Sequence, residues 1–150
     1  MTCRPAYLRS ALRSAGLVDS YRPVGGGLEG VNAMRVLVSV DMEGIAGVVD
    51  PEDIGPGQGE YERNRKLLTA ETNAAVRGVF AYDADAEVLV TEAHAAFRNL
   101  LPELLDRRAE LLRGDPKPDG MMAGLAADID AVLFIGYHGK AGTPRSVRRR

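Results

Sequence analysis

A chain that runs Val36-Leu37-Val38-Ser39-Val40 straight into Asp41-Met42-Glu43-Gly44 has few ways to fold. A short β-branched run closed by a turn signal is the mark of a buried strand in a parallel sheet. Open α/β sheets collect their ligands outside the carboxyl ends of their strands. Two carboxylates at i and i+2, followed by a glycine that lets the backbone turn sharply, make a hard-ligand pair for a metal ion.

The rest of the chain supplies partners for that pair. Further strands are predicted at Glu87–Thr91, Ala109–Leu112 and Ala131–Tyr137, the last the most apolar. From Glu60 to about Tyr82-Asp83, Leu67, Leu68, Ala70, Ala74, Ala75, Val76 and Val79 recur at helical spacing. Glu62, Arg63, Arg65, Lys66 and Arg77 mostly populate the other face. Shorter helices are expected from Asn99 to Arg107, with Pro102 tolerated in the first turn, and from Gly120 to Ala127. The order βαβαβαβ calls for an α/β fold with a mainly parallel sheet. The stretch from Ile45 to Gly59 is dense in Gly, Pro and Asp. It reads as an irregular functional loop over the acid pair.

The chain has two histidines, His94 and His138, and each follows an apolar strand as Asp41 and Glu43 do. In a parallel sheet those strand ends share one edge, so two carboxylates and two imidazoles should converge there. Such a mixed set suits Zn²⁺, with Mn²⁺ or Fe²⁺ as weaker options. Spread over two neighbouring ions, it also suits a two-metal hydrolytic centre. Each residue has a plainer reading: a lone strand-end histidine is more often a hydrogen-bonding residue, and a lone Asp41 a turn cap. The coincidence of all four on one edge carries the metal hypothesis. Glu92, two residues before His94, is a candidate to orient the imidazole, or simply an exposed acid. Lys117 and Arg98 are candidates for a substrate carboxylate, although solvated charges are commoner. Asp115 reads as a turn residue, and Met121 and Met122 as packing.

Composition narrows the partners. A formal charge of −2 argues against a nucleic-acid binder. The single cysteine, Cys3, excludes an internal disulfide and fits a reducing compartment, and no run approaches the ~20 apolar residues of a membrane span. The expectation is a cytoplasmic protein. Residues 1–33, rich in Arg, Ser and Ala, read as a disordered or loosely helical extension ending in a glycine linker. Gly25 to Gly30 satisfies G-x-G-x-x-G, but it precedes the first strand and opens no helix, so it is not a dinucleotide fingerprint. Residues 34–144 form the expected domain, and 145–150 a basic tail.

SVDMEGIAG, YERNRKLLTAETNAA, the strand ending in EAH with RNL behind it, LLRGDPKP and LFIGYHGKAGTP resemble the zinc-dependent D-aminopeptidases of the dipeptide-transport-protein type. The resemblance runs from Met34 to about Pro144. It implies a three-layer α/β/α domain, a centre with two zinc ions, hydrolysis of short peptides with N-terminal D-residues, and assembly into ring-like homo-oligomers. Carried over by position, Asp41 would bridge the two zincs, Glu43 and His138 would hold one, and His94 the other. Two departures stand out. Thr91-Glu92 replace the Asn-Asp usual in the family, next to the metal-binding imidazole. The family's catalytic histidine aligns, without gaps, with Arg149. The family's last metal-binding glutamate and its second domain would lie past residue 150, so the chain looks like a C-terminally truncated member.

Two other readings stay open. One is a non-catalytic remnant that binds metal or only oligomerises. The other, a phosphatase of the haloacid-dehalogenase type, rests on the strand followed by D-x-[DE]-G, but prefers Asp at the second acid and gives His94 and His138 no work.

Overall fold

The computed structural model describes residues 33–140 and 143–144. The expected linker, the basic tail and Arg149 lie outside the described residues, as does all of the N-terminal extension but its last residue. Among the described residues there are four strands: β1 (Arg35–Val40), β2 (Glu87–Glu92), β3 (Glu110–Leu112) and β4 (Ala131–Ile135). All pair in parallel, in the order β3-β2-β1-β4. The molecule is therefore an α/β protein, as its strand pattern predicts.

The order has a chemical consequence. From β1 the chain steps outward through β2 to β3, then returns to place β4 on the other side of β1. That reversal creates a crevice beyond the carboxyl ends of β1 and its neighbours, where open sheets bind ligands. Asp41 and Glu43 leave β1 at that point, His94 leaves β2 and His138 leaves β4.

Successive strand residues face opposite layers. Val36, Val38, Val40, Val88 and Val90 point to the helix layer and are buried in one cluster. Burying side chains of this size is worth ~2 kcal/mol each. The covering helix, α1 (Tyr61–Tyr82), buries Tyr61, Asn64, Leu68, Thr69, Thr72 and Val76, a stripe at helical spacing. Half of that stripe is polar. Thr72 Oγ1 donates to the Leu68 carbonyl (2.8 Å) and Thr69 Oγ1 to that of Arg65 (2.8 Å), so neither hydroxyl is left unpaired. Ala70 and Ala74, expected on the apolar face, are exposed.

The segment from Asn99 to Arg107 is not a helix. Distant side chains take its backbone groups before a helix can. The Glu92 carboxylate accepts from the N–H groups of Asn99 (2.5 Å) and Leu100 (3.2 Å). Thr69 Oγ1 accepts from Leu101 N–H, and Asn73 bridges Asp106 N–H and the Leu104 carbonyl. Gly120–Ala127 likewise holds only a 3₁₀ turn, Gly120–Met122, which packs on the second face of the sheet against β1 and β2. Among the described residues no helix is long and apolar enough to cross a membrane.

Candidate metal centre

The ends of β1 and β4 are tied together beyond the last paired residues. Asp41 N–H donates to the Ile135 carbonyl (2.8 Å), and Gly44 N–H to that of Gly136 (2.7 Å). Two glycines make this approach feasible. A Cβ on Gly136, which has φ +65°, would lie 2.1 Å from the Asp41 carbonyl oxygen, and one on Gly44 would lie 2.5 Å from that of Tyr137. On the other side, Ala93 N–H donates to the Val40 carbonyl (2.7 Å) and fixes where β2 releases His94.

Three of the four expected ligands meet. One oxygen each from Asp41 and Glu43 and one nitrogen of His94 lie within 4.8 Å of one another. His94 Nδ1 stands 3.1 Å from Glu43 Oε2 and 3.3 Å from Asp41 Oδ1. His138 lies outside that set but reaches the other oxygen of the same carboxylate, with Nε2 3.5 Å from Asp41 Oδ2. Asp41 thus faces an imidazole through each oxygen. The pairing of Glu43 differs from that implied by the resemblance: it sits with His94 rather than His138.

Both imidazoles are braced from behind. His94 Nε2 is 2.9 Å from the Ile54 carbonyl, and His138 Nδ1 is 2.7 Å from that of Gly139. Tyr137, beside His138, donates its hydroxyl to Ser39 Oγ (2.6 Å), whose own proton goes to the Met121 carbonyl (2.6 Å).

Asp41 is 1 % exposed, and its Oδ2 is buried without a hydrogen-bond partner. Such an orphaned oxygen is costly unless a cation meets it. Burial lifts the Asp41 carboxyl above the ordinary aspartate range, against the hydrogen bond from His94. Burial also opposes ionisation of Glu43, but hydrogen bonds from His94 and Asp41 and the His94 charge outweigh it and bring Glu43 to about 2. For His94, burial works against the charged ring. The bonds to Asp41 and Glu43 prevail and raise it to about 10. The three groups together stabilise a positive charge among them, and two carboxylates with imidazole nitrogen are a fitting donor set for zinc. A zinc ion would be held by Asp41, Glu43 and His94, with His138 facing the remaining Asp41 oxygen.

Asp41, Glu43, His94 and His138 open onto a cleft of about 430 Å³ whose other walls include Pro51, Ile54, Pro56, Ala93, Ala95 and Met121. The Ile45–Gly59 loop therefore forms one wall of the site.

The remaining candidates fall elsewhere. Glu92 is 1 % exposed and gives its carboxylate to Asn99 and Leu100, not to the His94 ring. It acts on the loop that carries His94: Asn99 Nδ2 donates to the His94 carbonyl (2.7 Å) and its Oδ1 accepts from Tyr61 (2.9 Å). Lys117 is buried. Its Nζ donates to Thr91 Oγ1 (2.9 Å) and to the Glu92 carbonyl, and lies 4.3 Å from the centre of the Phe97 ring. Neither it nor the exposed Arg98 lines the cleft. Asp115 is exposed, in the turn that its Gly-Asp-Pro context suggests. Two contributors escaped sequence reasoning: the Ile54 carbonyl, a backbone atom with no sequence signal, and Gly136. The second did have a signal, a glycine just before Tyr137-His138 that matches Gly44 after the acids.

A sequence profile described as D-aminopeptidase, peptidase M55, matches residues 34–149. The D-aminopeptidase of Bacillus subtilis (strain 168) is 40% identical over 111 residues, or 74% of this chain and 40% of that protein. A solved structure, the zinc-dependent D-aminopeptidase DppA from Bacillus subtilis, described as a self-compartmentalizing protease, aligns with a TM-score of 0.71. Its identity is 40%, over 74% of this chain and 40% of that one. The chain thus spans about 40% of the length of the relative it matches. On the profile match and on this identity, the chain belongs to the D-aminopeptidase family of metallopeptidases.

Proposed function

We propose that the crevice beyond β1, β2 and β4 is a zinc-dependent peptidase site for short peptides with an N-terminal D-residue. The observation that carries this reading is the meeting of Asp41, Glu43 and His94 within 4.8 Å, with His138 on the free oxygen of Asp41. With an imidazole facing each of its oxygens, Asp41 would serve zinc on both sides, beside Glu43 and His94 on one and His138 on the other. Zinc, when bound, supplies charge stabilisation for a scissile carbonyl. The chain's own residues do the rest. Asp41 and Glu43 hold negative charge in a nearly dry setting, and the braced imidazoles keep their metal-facing nitrogens oriented. The Pro51–Pro56 segment and Met121 wall off water around a short peptide. The family relative is described as self-compartmentalizing, and self-association of this chain is part of the same reading.

One sequence fact favours a second reading, in which the site binds zinc without turnover. The position of the family's catalytic histidine reads Arg149, and a guanidinium stays protonated. Hydrolysis of D-alanyl-D-alanine by the zinc-loaded chain separates the two. Zinc-dependent release of D-alanine, lost in Asp41→Ala, is the expected result. Zinc bound with no release selects the second reading, and a wild type that retains no more zinc than Asp41→Ala removes both.

A further inference from the structure

His94 presents one nitrogen to the carboxylates and the other to the Ile54 carbonyl, 40 residues earlier in the chain. A carbonyl oxygen only accepts, so Nε2 carries a proton in that bond. This leaves Nδ1 as the nitrogen whose lone pair can face a cation between Asp41 and Glu43. Were the Ile54 carbonyl displaced, the Glu43 and Asp41 oxygens beside Nδ1 (3.1 and 3.3 Å), which also only accept, would draw the proton of a neutral ring to Nδ1.

The position of that carbonyl is set by a small, heavily tied turn. Pro51–Asp53 form one 3₁₀ turn with Asp50 as its cap and Ile54 immediately after it. Asp50 Oδ1 accepts from Glu52 N–H (2.9 Å), and Asp53 Oδ2 accepts from Asp50 N–H (3.1 Å). These bonds hold the turn's shape but do not anchor it to the molecule. The Ile54 side chain packs against the core cluster, and the polar anchor is Asn64, fully buried in the first turns of α1, whose Nδ2 donates to the Asp53 carbonyl (3.1 Å). Its Oδ1 has no hydrogen-bond partner, so this amide is kept in the core at a cost. The peptide unit it grips directly precedes the residue that braces His94.

Building on the zinc-site reading, we infer that Asn64 is a positioning residue. It pins the 50–54 turn so that the Ile54 carbonyl holds His94 with Nε2 protonated and Nδ1 turned to the metal. The same turn lines the cleft through Pro51 and Ile54, so ligand alignment and pocket shape share one support.

Imidazole ¹H–¹⁵N NMR of the full chain, with and without zinc, tests this alongside zinc affinity by chelator competition. In the wild type the His94 Nε2–H should exchange slowly with solvent, and zinc should perturb Nδ1. Asn64→Leu, which keeps the volume and loses the donor, should lose that protection and bind zinc ~10–100-fold more weakly, the usual effect of removing a ligand's support. Asp50→Ala, on the exposed end of the same turn, should shift both readouts in the same direction by less, and Asn64→Ala, which loses the same donor, decides the matter if Asn64→Leu does not fold. Zinc on Nε2 of the wild type, or folded variants with unchanged protection and affinity, would overturn the inference. A wild type that protects Nε2–H yet binds no zinc would sink the zinc reading alone and leave the brace standing.

Discussion

The two imidazoles of the centre leave strands on either side of β1 under different conditions. His94 follows β2, a strand paired on both sides, and is 7 % exposed. Side chains from distant parts of the chain hold its loop, and a carbonyl from another segment backs its ring. His138 follows β4, the strand at the end of the sheet, none of whose residues is buried. The carbonyl behind its ring comes from the adjoining Gly139. One imidazole is therefore placed by tertiary structure, the other by local backbone and by the close approach of Gly136. A tertiary support is lost when distant residues change, whereas a local one fails only when its own backbone is disturbed.

The largest effect expected from this contrast is in metal binding. His94→Ala breaks the set of three donors and should lower zinc affinity by more than the ~100-fold upper range for loss of a supporting residue. His138→Ala leaves Asp41, Glu43 and His94 intact and should keep a single zinc site. Competition titration of both variants measures this. Equal losses would erase the distinction.

Next in size is the test of the local support. Gly136→Ala forces a Cβ against the Asp41 carbonyl at a residue already at φ +65° and should cost ~3 kcal/mol in urea unfolding. Gly114→Ala, also at positive φ (+82°) but with nothing within 4 Å, should cost only ~1 kcal/mol. Similar costs at the two sites would mean that backbone strain, not the contact with Asp41, sets the penalty.

The last effect concerns the better-packed side and appears only in alkali. Burial lowers Lys117 to about 8, against an ordinary value of 10.5. Between those values the unfolded chain binds more protons than the folded one, so Lys117 makes stability rise with pH across that window. Below about pH 8 the charged, buried amine disfavours folding to its full extent. Urea midpoints from pH 7 to pH 10 should rise for the wild type relative to Lys117→Met. Parallel curves would show that Lys117 is not desolvated.

Much of this was legible in the sequence. An apolar β-branched run can satisfy itself only inside a sheet, so the four strands and their acidic or imidazole ends stand out. The long helix is legible because Leu68 and Val76 recur at its period. What escaped was whatever depends on a partner far along the chain. The leucines of 99–107 repeat at helical spacing, but Glu92, Thr69 and Asn73 capture the backbone groups a helix needs. Glu92 reads as an acid beside a histidine, and its buried neighbours make it a clasp for the following loop instead. Asn64 gives no signal by period, since an amide on a helix is ordinary until its burial is known.

The contact between Gly136 and the Asp41 carbonyl also makes the centre a gauge built largely from main chain. Side-chain replacement adjusts most protein spacings by fractions of an ångström, but here the acid-bearing and histidine-bearing segments meet main chain to main chain, with the Ile45 side chain alongside. Their separation is inherited from the pleat of the sheet itself. A design that wants a wider or narrower spacing between Asp41 and His138 in this scaffold must re-register β4 against β1.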